Sequence, residues 1–213
     1  MKVLVTGFEP FGGDGVNPSF EALSRLPAVL GEMAIATRPL PTVFGRALYA
    51  LEDAIAETAP DIVLSVGLAG GRSELSLERI AINVDDARIA DNDGQQPIDR
   101  PIVPGGPAAY FATLPIKACV AEMRKAGLPA AVSNSAGTFV CNHVFYATMD
   151  MAKQHRMGFR AGFLHIPYLP EQAARLGGAP SMSLDDIVRG IEIVLAISAA
   201  RQTDLQTVEG RIS

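Results

Sequence analysis

Short apolar runs alternate with amphipathic stretches along most of the chain. Five of the apolar runs have the length and composition of buried strands, most of them with Gly or Pro close by. They are Lys2–Thr6, Met33–Thr37, Asp61–Val66, Ala130–Ser133 and Gly162–Ile166. Strands that alternate with helices predict an α/β fold with a largely parallel sheet covered on both faces. In such sheets ligands bind in the loops after the carboxyl ends of the strands.

Four stretches between these runs show the periodicity of helices. The first has Thr42 as its expected N-cap and apolar residues at three- and four-residue spacing until Pro60. The other three are predicted from Pro115 to Gly127, from about Val140 to His155 and from Ser183 to about Ala200.

Two further segments and the end of the chain lack such periodicity. Glu74–Asn83 alternates only weakly and predicts a hairpin or an excursion from the sheet. Asp91–Gly106 is rich in Pro, Gly and Asp, and a loop of this length is usually mobile or functional. No domain linker interrupts the chain, so we expect residues 1–213 to form one domain, with 201–213 as a frayed polar tail.

Composition narrows the class of protein. The 213 residues are 48% hydrophobic, enough for one core, and the formal net charge is -5 without a basic stripe that could bind nucleic acid. No apolar segment reaches the roughly 20 residues needed to span a bilayer, and the N-terminal run is too short for a signal peptide. The two cysteines form no C-x-x-C pair, which suits a reducing compartment. We therefore expect a cytoplasmic protein that binds neither nucleic acid nor membrane.

Cys141 is the first candidate for chemistry, because it stands at the start of a predicted helix after a turn of small residues. The N–H groups and dipole of a helix N-terminus favour a thiolate, so we expect a lowered pKa and a nucleophile. The same N–H groups could bind the oxyanion of acyl transfer. From position alone, a buried hydrophobic cysteine is an equally good interpretation. Cys119 lies on an apolar helix face and fits that second interpretation much better.

A nucleophilic cysteine needs an imidazole within hydrogen-bond reach, and the chain has three histidines. His143 is two residues from Cys141 on the same helix and therefore points about 200° away from it. His155 lies more than three turns along that helix. His165 ends a predicted strand at the sheet edge where functional loops meet, so elimination leaves it as the base. Three scattered histidines without clustered carboxylates predict no metal site.

Two questions stay open from the residues alone. Four carboxylates compete to orient the histidine, and spacing does not choose among Glu78, Asp85, Asp86 and Asp91. The glycine-rich loop Gly67–Arg72 could cradle an oxyanion, although it lacks the spacing of nucleotide-binding loops. That loop supports an alternative function, a phosphorylase-like or anion-binding α/β protein.

Several longer motifs, in order along nearly the whole chain, resemble the pyroglutamyl peptidase I (pyrrolidone-carboxylate peptidase) family of cysteine peptidases. The segments that carry the resemblance are Val5–Gly13 with Asn17–Ser19, Ala69–Arg72, Glu78–Asn83, Gly106–Tyr110, Ser135–His143 and His165–Gln172. The resemblance implies removal of N-terminal pyroglutamyl residues from peptides, with Cys141 as nucleophile, His165 as base and Glu78 as orienting acid. It also implies a three-layer α/β/α sandwich, assembly into dimers or tetramers, and no cofactor.

Pyroglutamate is a neutral lactam without a free α-amine, so its pocket should be apolar and lack a carboxylate that binds ammonium. Phe8, Phe11 and Phe139 would form apolar walls, although core packing explains the first two equally well. By analogy to the family, Ile89 stands beside them and Arg88 lies near the nucleophile, where it could assist the oxyanion. Asn17 would pair with the polar groups of the lactam.

The chain departs from the family pattern at two positions. Leu68 stands where the family usually has Gln, and Ala90 stands where Pro commonly follows the Arg-Ile pair. Loss of the polar donor at position 68 predicts weaker contact with the lactam or the oxyanion, so Leu68→Gln should raise activity.

Overall fold

The computed structural model describes residues 1–154 and 158–210, in which nine strands and six helices follow one another. The strands are β1 Lys2–Phe8, β2 Val29–Leu30, β3 Met33–Leu40, β4 Ile62–Leu68, β5 Leu75–Glu78, β6 Ile80–Ile82, β7 Ala109–Phe111, β8 Ala130–Ser133 and β9 Arg160–Ile166. The helices are α1 Pro18–Arg25, α2 Arg46–Thr58, α3 Ile116–Lys125, α4 Val140–Gln154, α5 Pro170–Arg175 and α6 Leu184–Ala200. Among these, no helix has both the length and the apolar character needed to cross a membrane.

Seven strands form one central sheet in the order β2-β3-β1-β4-β9-β5-β8. The sheet is largely parallel, while β2 runs antiparallel to β3 and β5 runs antiparallel to β9. Apolar residues of α1, α3 and α6 pack on one face, and those of α2 and α4 pack on the other. Because the central strands are buried on both faces, they read as continuous apolar runs. The predicted three-layer α/β/α fold is confirmed.

Two local predictions are wrong. Thr42 does not cap α2: its hydroxyl donates to the carbonyl of Glu9, and Gly45 occupies the N-cap position. The segment predicted as an excursion is split, because Leu75–Glu78 enters the central sheet and only Ile80–Ile82 pairs outside it, with β7. All four residues of β5 are buried, the polar ones included, which removes the alternation that would have identified a sheet strand.

The polar tail is fixed to the body of the protein over residues 201–210, so the prediction of a frayed end is wrong there. The Asp204 carboxylate accepts hydrogen bonds from the backbone N–H groups of Lys117 and Ala118 at the start of α3. Glu209 forms an ion pair with Arg124. Residues 211–213 and His155, the predicted end of α4, lie outside the described residues.

Candidate active site

His165 and Glu78 project from the same face of the sheet. In the antiparallel pairing of β5 with β9, Ser76 lies opposite His165, and Glu78 follows Ser76 by two residues. The Glu78 carboxylate lies 2.7 Å from Nδ1 of His165, and both side chains are buried. Because a carboxylate only accepts, Nδ1 carries the ring proton and Nε2 is left as the base.

Cys141 lies at the second position of α4, and its side chain lines one cavity together with His165. This cavity has a volume of about 350 Å³ and opens beside the ends of β4 and β9. The structure therefore brings together the nucleophile and the base that the sequence predicts, although they are 24 positions apart in the chain.

The predicted lowering of the Cys141 pKa is wrong. Burial raises the pKa of its thiol from the ordinary value of 9.0 to about 12, the charge of Glu78 raises it further, and that of Arg72 lowers it. Loss of hydration is the largest of these causes. The resting thiol is protonated at neutral pH, so a base must take its proton during attack.

Arg72 is a component of the site that the sequence analysis missed, having placed it only in a glycine-rich loop. Its Nη1 donates to Oε1 of Glu78 at 2.8 Å, and its Nη2 donates to the carbonyl of Ser135 at 3.3 Å. The Arg72 side chain is 31% exposed and lines the cavity, but its two hydrogen bonds go to Glu78 and Ser135. Arg72 is thus paired within the protein, which weakens the alternative of an anion-binding protein that uses the loop Gly67–Arg72.

The other carboxylates are placed differently. Asp85 contacts Nδ1 of His143 at 2.8 Å, which identifies a second buried pair away from the Cys141 thiol. The Asp91 carboxylate accepts from the backbone N–H of Phe44 and shapes the loop that follows it. The exposed Asp86 lines the cavity, so the prediction of a pocket without a carboxylate is wrong.

All the predicted pocket residues line the cavity: Phe8, Phe11, Asn17, Leu68, Arg88, Ile89 and Phe139. For Phe8 both interpretations hold, because it is also buried and packs against Phe163. Phe11 and Phe139 are in ring contact, with centroids 6.1 Å apart. Phe44 supports Phe139 edge-on from behind, at 5.4 Å, a contact that has no local signal in the sequence.

Asn17 has a structural task in addition to its position on the cavity. Its Oδ1 accepts from the backbone N–H and the hydroxyl of Ser19, so it is the N-cap of α1, and its Nδ2 donates to the carbonyl of Glu9. One N–H of the amide is left over for a ligand. Only this part of the predicted contact with the lactam fits the geometry.

Across residues 1–154 and 158–210, no group of three or more His, Cys, Asp and Glu side chains is arranged to hold a metal ion. Within the same ranges, Cys119 and Cys141 are both free thiols. The cavity wall presents the Cys141 thiol and the His165 imidazole, and the buried Glu78 carboxylate contacts that imidazole.

Known proteins of one family match this chain along nearly its whole length. A family model described as pyroglutamyl peptidase matches residues 1–203. Pyrrolidone-carboxylate peptidase 1 of Ralstonia nicotianae is 54% identical over 211 residues, which cover 99% of this chain and 98% of that protein. The crystal structure of pyroglutamyl peptidase I from Bacillus amyloliquefaciens superposes with a TM-score of 0.95 at 50% identity, covering 97% of this chain and 99% of that one. A mutant pyrrolidone carboxyl peptidase from Pyrococcus furiosus gives a TM-score of 0.92 at 44% identity, with coverage of 94% and 99%.

Proposed function

The chain belongs to the pyroglutamyl peptidase family, and we propose that its activity depends on Cys141 as nucleophile, His165 as base and Glu78 as orienting acid. It is a cysteine omega-peptidase that removes N-terminal pyroglutamate. The observation that carries the assignment is the buried 2.7 Å contact of Glu78 with His165, whose ring lines the same cavity as Cys141.

In the first half of the reaction, Nε2 of His165 takes the proton of the Cys141 thiol as the sulfur attacks the pyroglutamyl carbonyl carbon. The carbonyl oxygen becomes an oxyanion, which the N–H groups at the start of α4 stabilise. The imidazolium then gives its proton to the departing amine, the C–N bond breaks, and a thioester remains on Cys141. In the second half, His165 activates water, which hydrolyses the thioester and releases pyroglutamate.

The raised pKa of Cys141 supports this order of events. A thiol that is protonated at rest becomes a nucleophile only when a base takes its proton in the attack. His165 then becomes a cation within hydrogen-bond distance of Glu78, and a carboxylate stabilises such a cation in a buried site.

The pocket supports a neutral cyclic substrate. Aromatic walls from Phe11 and Phe139 suit the carbon atoms of the lactam, and the remaining N–H of Asn17 can donate to its carbonyl oxygen. Two arginines, Arg72 and Arg88, and one exposed carboxylate, Asp86, line the cavity. This charge balance disfavours an ammonium group, so peptides blocked by pyroglutamate are preferred over peptides with a free N-terminus.

The family resemblance extends the proposal to the protein's state in the cell. We propose that it acts in the cytoplasm as a homodimer or homotetramer. Light scattering coupled to size-exclusion chromatography measures the mass of the assembly. A monomer of 22.5 kDa would contradict the proposed dimer or tetramer.

Release of a fluorogenic amine from an N-terminal pyroglutamyl amide tests the function. We expect turnover by the wild type under reducing conditions and none by Cys141→Ala or by protein treated with iodoacetamide. Cys119→Ser is the matched control and should remain active, because Cys119 is buried between α3 and α6. A folded but inactive wild type would contradict the function, and an active Cys141→Ala would contradict the nucleophile.

A further inference from the structure

Glu78 lies in an environment that is costly for a charged group. Its side chain is fully buried, with 0% exposure. Its contacts with Arg72 and His165 both use the same oxygen, Oε1, which accepts from Arg72 and faces Nδ1 of His165. Within the described residues, Oε2 has no hydrogen-bond partner. A buried carboxylate with so few partners depends strongly on each of them, because no water replaces a lost one.

Arg72 is held in place by the loop that carries it. Gly70 packs directly beneath the ring of Tyr168, where a Cβ would overlap the phenol, and Gly71 has a positive φ of 89°. The backbone N–H of Arg72 closes the turn on the carbonyl of Ala69. These contacts fix the backbone at position 72, and the side chain is positioned by its hydrogen bonds to Glu78 and Ser135.

The second donor of Arg72 links Glu78 to the turn that precedes Cys141. Its Nη2 reaches the carbonyl of Ser135, in the turn that leads to Cys141 at the start of α4. A guanidinium makes both contacts at once because its donors form a planar fork, whereas a lysine offers a single charged centre.

We propose that Arg72 is a positioning residue of the proposed reaction, which acts through Glu78 by neutralising its charge and fixing it against His165. This inference rests on the proposed function. The opposite effects of Glu78 and Arg72 on the pKa of Cys141 agree with it, since the two charges offset each other at the nucleophile. Arg72 also lines the cavity, so the rival interpretation is that it contacts the substrate directly.

A double-mutant cycle separates the two interpretations, since it compares the loss of Arg72 with and without the carboxylate. The four proteins are the wild type, Arg72→Gln, Glu78→Gln and the double variant, assayed for kcat and KM on a pyroglutamyl amide. We expect Arg72→Gln to lower kcat about 100-fold in the wild-type background, with little change in KM. In the Glu78→Gln background the same change should cost less than about threefold. Arg72→Lys should recover part of the lost kcat, because it restores the charge and not the fork.

Arg79→Gln is the matched control, because Arg79 is adjacent to Glu78 in the chain but bonds to Asn134 and to the tail. We expect it to retain wild-type kcat. Equal losses from Arg72→Gln in both backgrounds would overturn the inference in favour of substrate contact, and an unchanged kcat would overturn it outright.

Alkylation of Cys141 by iodoacetamide, followed by mass spectrometry on the same four proteins, needs no substrate. We expect Arg72→Gln to change the alkylation rate of Cys141 much more when Glu78 is present than in the Glu78→Gln background. An equal change in both backgrounds would overturn the inference. A wild type that is alkylated but releases no amine would contradict the proposed function, and the alkylation cycle would still decide the role of Arg72.

Discussion

Gly67 and Cys141 are in direct apposition: a Cβ built on Gly67 would lie 2.9 Å from the sulfur of Cys141. Gly67 is the register partner of His165 in the parallel pairing of β4 with β9. The absence of a side chain at this one strand position thus makes room for the Cys141 thiol beside the strand that carries His165. The same Cβ would lie 2.9 Å from the ring of Phe163, which is fully buried and cannot move aside.

Gly67→Ala should therefore displace the thiol. We expect about a 100-fold lower kcat on a pyroglutamyl amide, because a shift of about 1 Å in a reacting group is costly, and a loss of about 1–3 kcal/mol of stability from overpacking. Steady-state kinetics and urea unfolding measure the two effects. Gly15→Ala is the control, since a Cβ there meets nothing within 4 Å and should leave kcat unchanged.

His143 supports the substrate pocket from behind. Its Nδ1 contacts Asp85, its Nε2 accepts from the backbone N–H of Gly45, and its ring packs edge-on against Phe44 at 5.3 Å. Phe44 in turn supports Phe139 on the cavity wall. His143→Phe keeps the ring and leaves the buried Asp85 carboxylate and the partly buried N–H of Gly45 without this partner.

We expect His143→Phe to raise KM about tenfold while kcat stays within about threefold, since the pocket wall loosens while Glu78, Cys141 and His165 keep their positions. Asp85→Asn keeps an acceptor for Nδ1–H and should change KM by less than about twofold. A collapse of kcat at constant KM would show that His143 takes part in the chemistry instead.

The residues differ in how far the sequence could identify them. The sequence predicts Cys141 and His165 as site residues because each stands at an element boundary with a local signal, a helix start for one and a strand end for the other. Glu78 was one of four candidates, because its contact with His165 depends on β5 pairing antiparallel beside β9, which no local pattern encodes. Asp204 was assigned to a frayed tail for the same reason, since the α3 amides that it caps lie 87 and 86 positions away in the chain.

The buried Cys119 makes the stability of the fold sensitive to alkaline pH. Burial raises the pKa of its thiol from 9.0 to about 12. The folded state therefore holds a proton that the unfolded chain releases, and stability falls as pH rises from about 9 towards 12, by about 4 kcal/mol in all for this group. Urea unfolding at pH 8 and pH 10.5 measures the loss.

Cys119→Ala removes the titrating thiol, so we expect a shallower decline of stability between those two pH values than in the wild type. Other groups that titrate in this range cancel in the comparison. Its stability at pH 8 will be lower because of the small cavity, and only the slope against pH is diagnostic. Parallel declines in the two proteins would contradict the assignment.

Leu68 lines the cavity and, by the resemblance described above, stands where the family usually has Gln. It ends β4, one residue beyond Gly67, and its partly buried side chain lines the pocket with Cys141 and His165. An apolar side chain there offers no hydrogen bond to a polar group of the bound lactam or to the oxyanion. Each such group that loses water without gaining a partner weakens binding by about 1–3 kcal/mol.

Leu68→Gln should supply the missing donor and raise kcat/KM for a pyroglutamyl amide about tenfold, since about 1.4 kcal/mol corresponds to a factor of ten. Leu68→Met is the matched control, because it keeps a similar volume without a donor and should stay within about twofold of the wild type. A rise in kcat with KM unchanged would locate the new bond in the transition state, and a fall in KM alone would locate it in the bound substrate. An unchanged kcat/KM in Leu68→Gln would show that no polar group of the substrate contacts this part of the cavity. Leu68 would then serve only as part of the pocket wall.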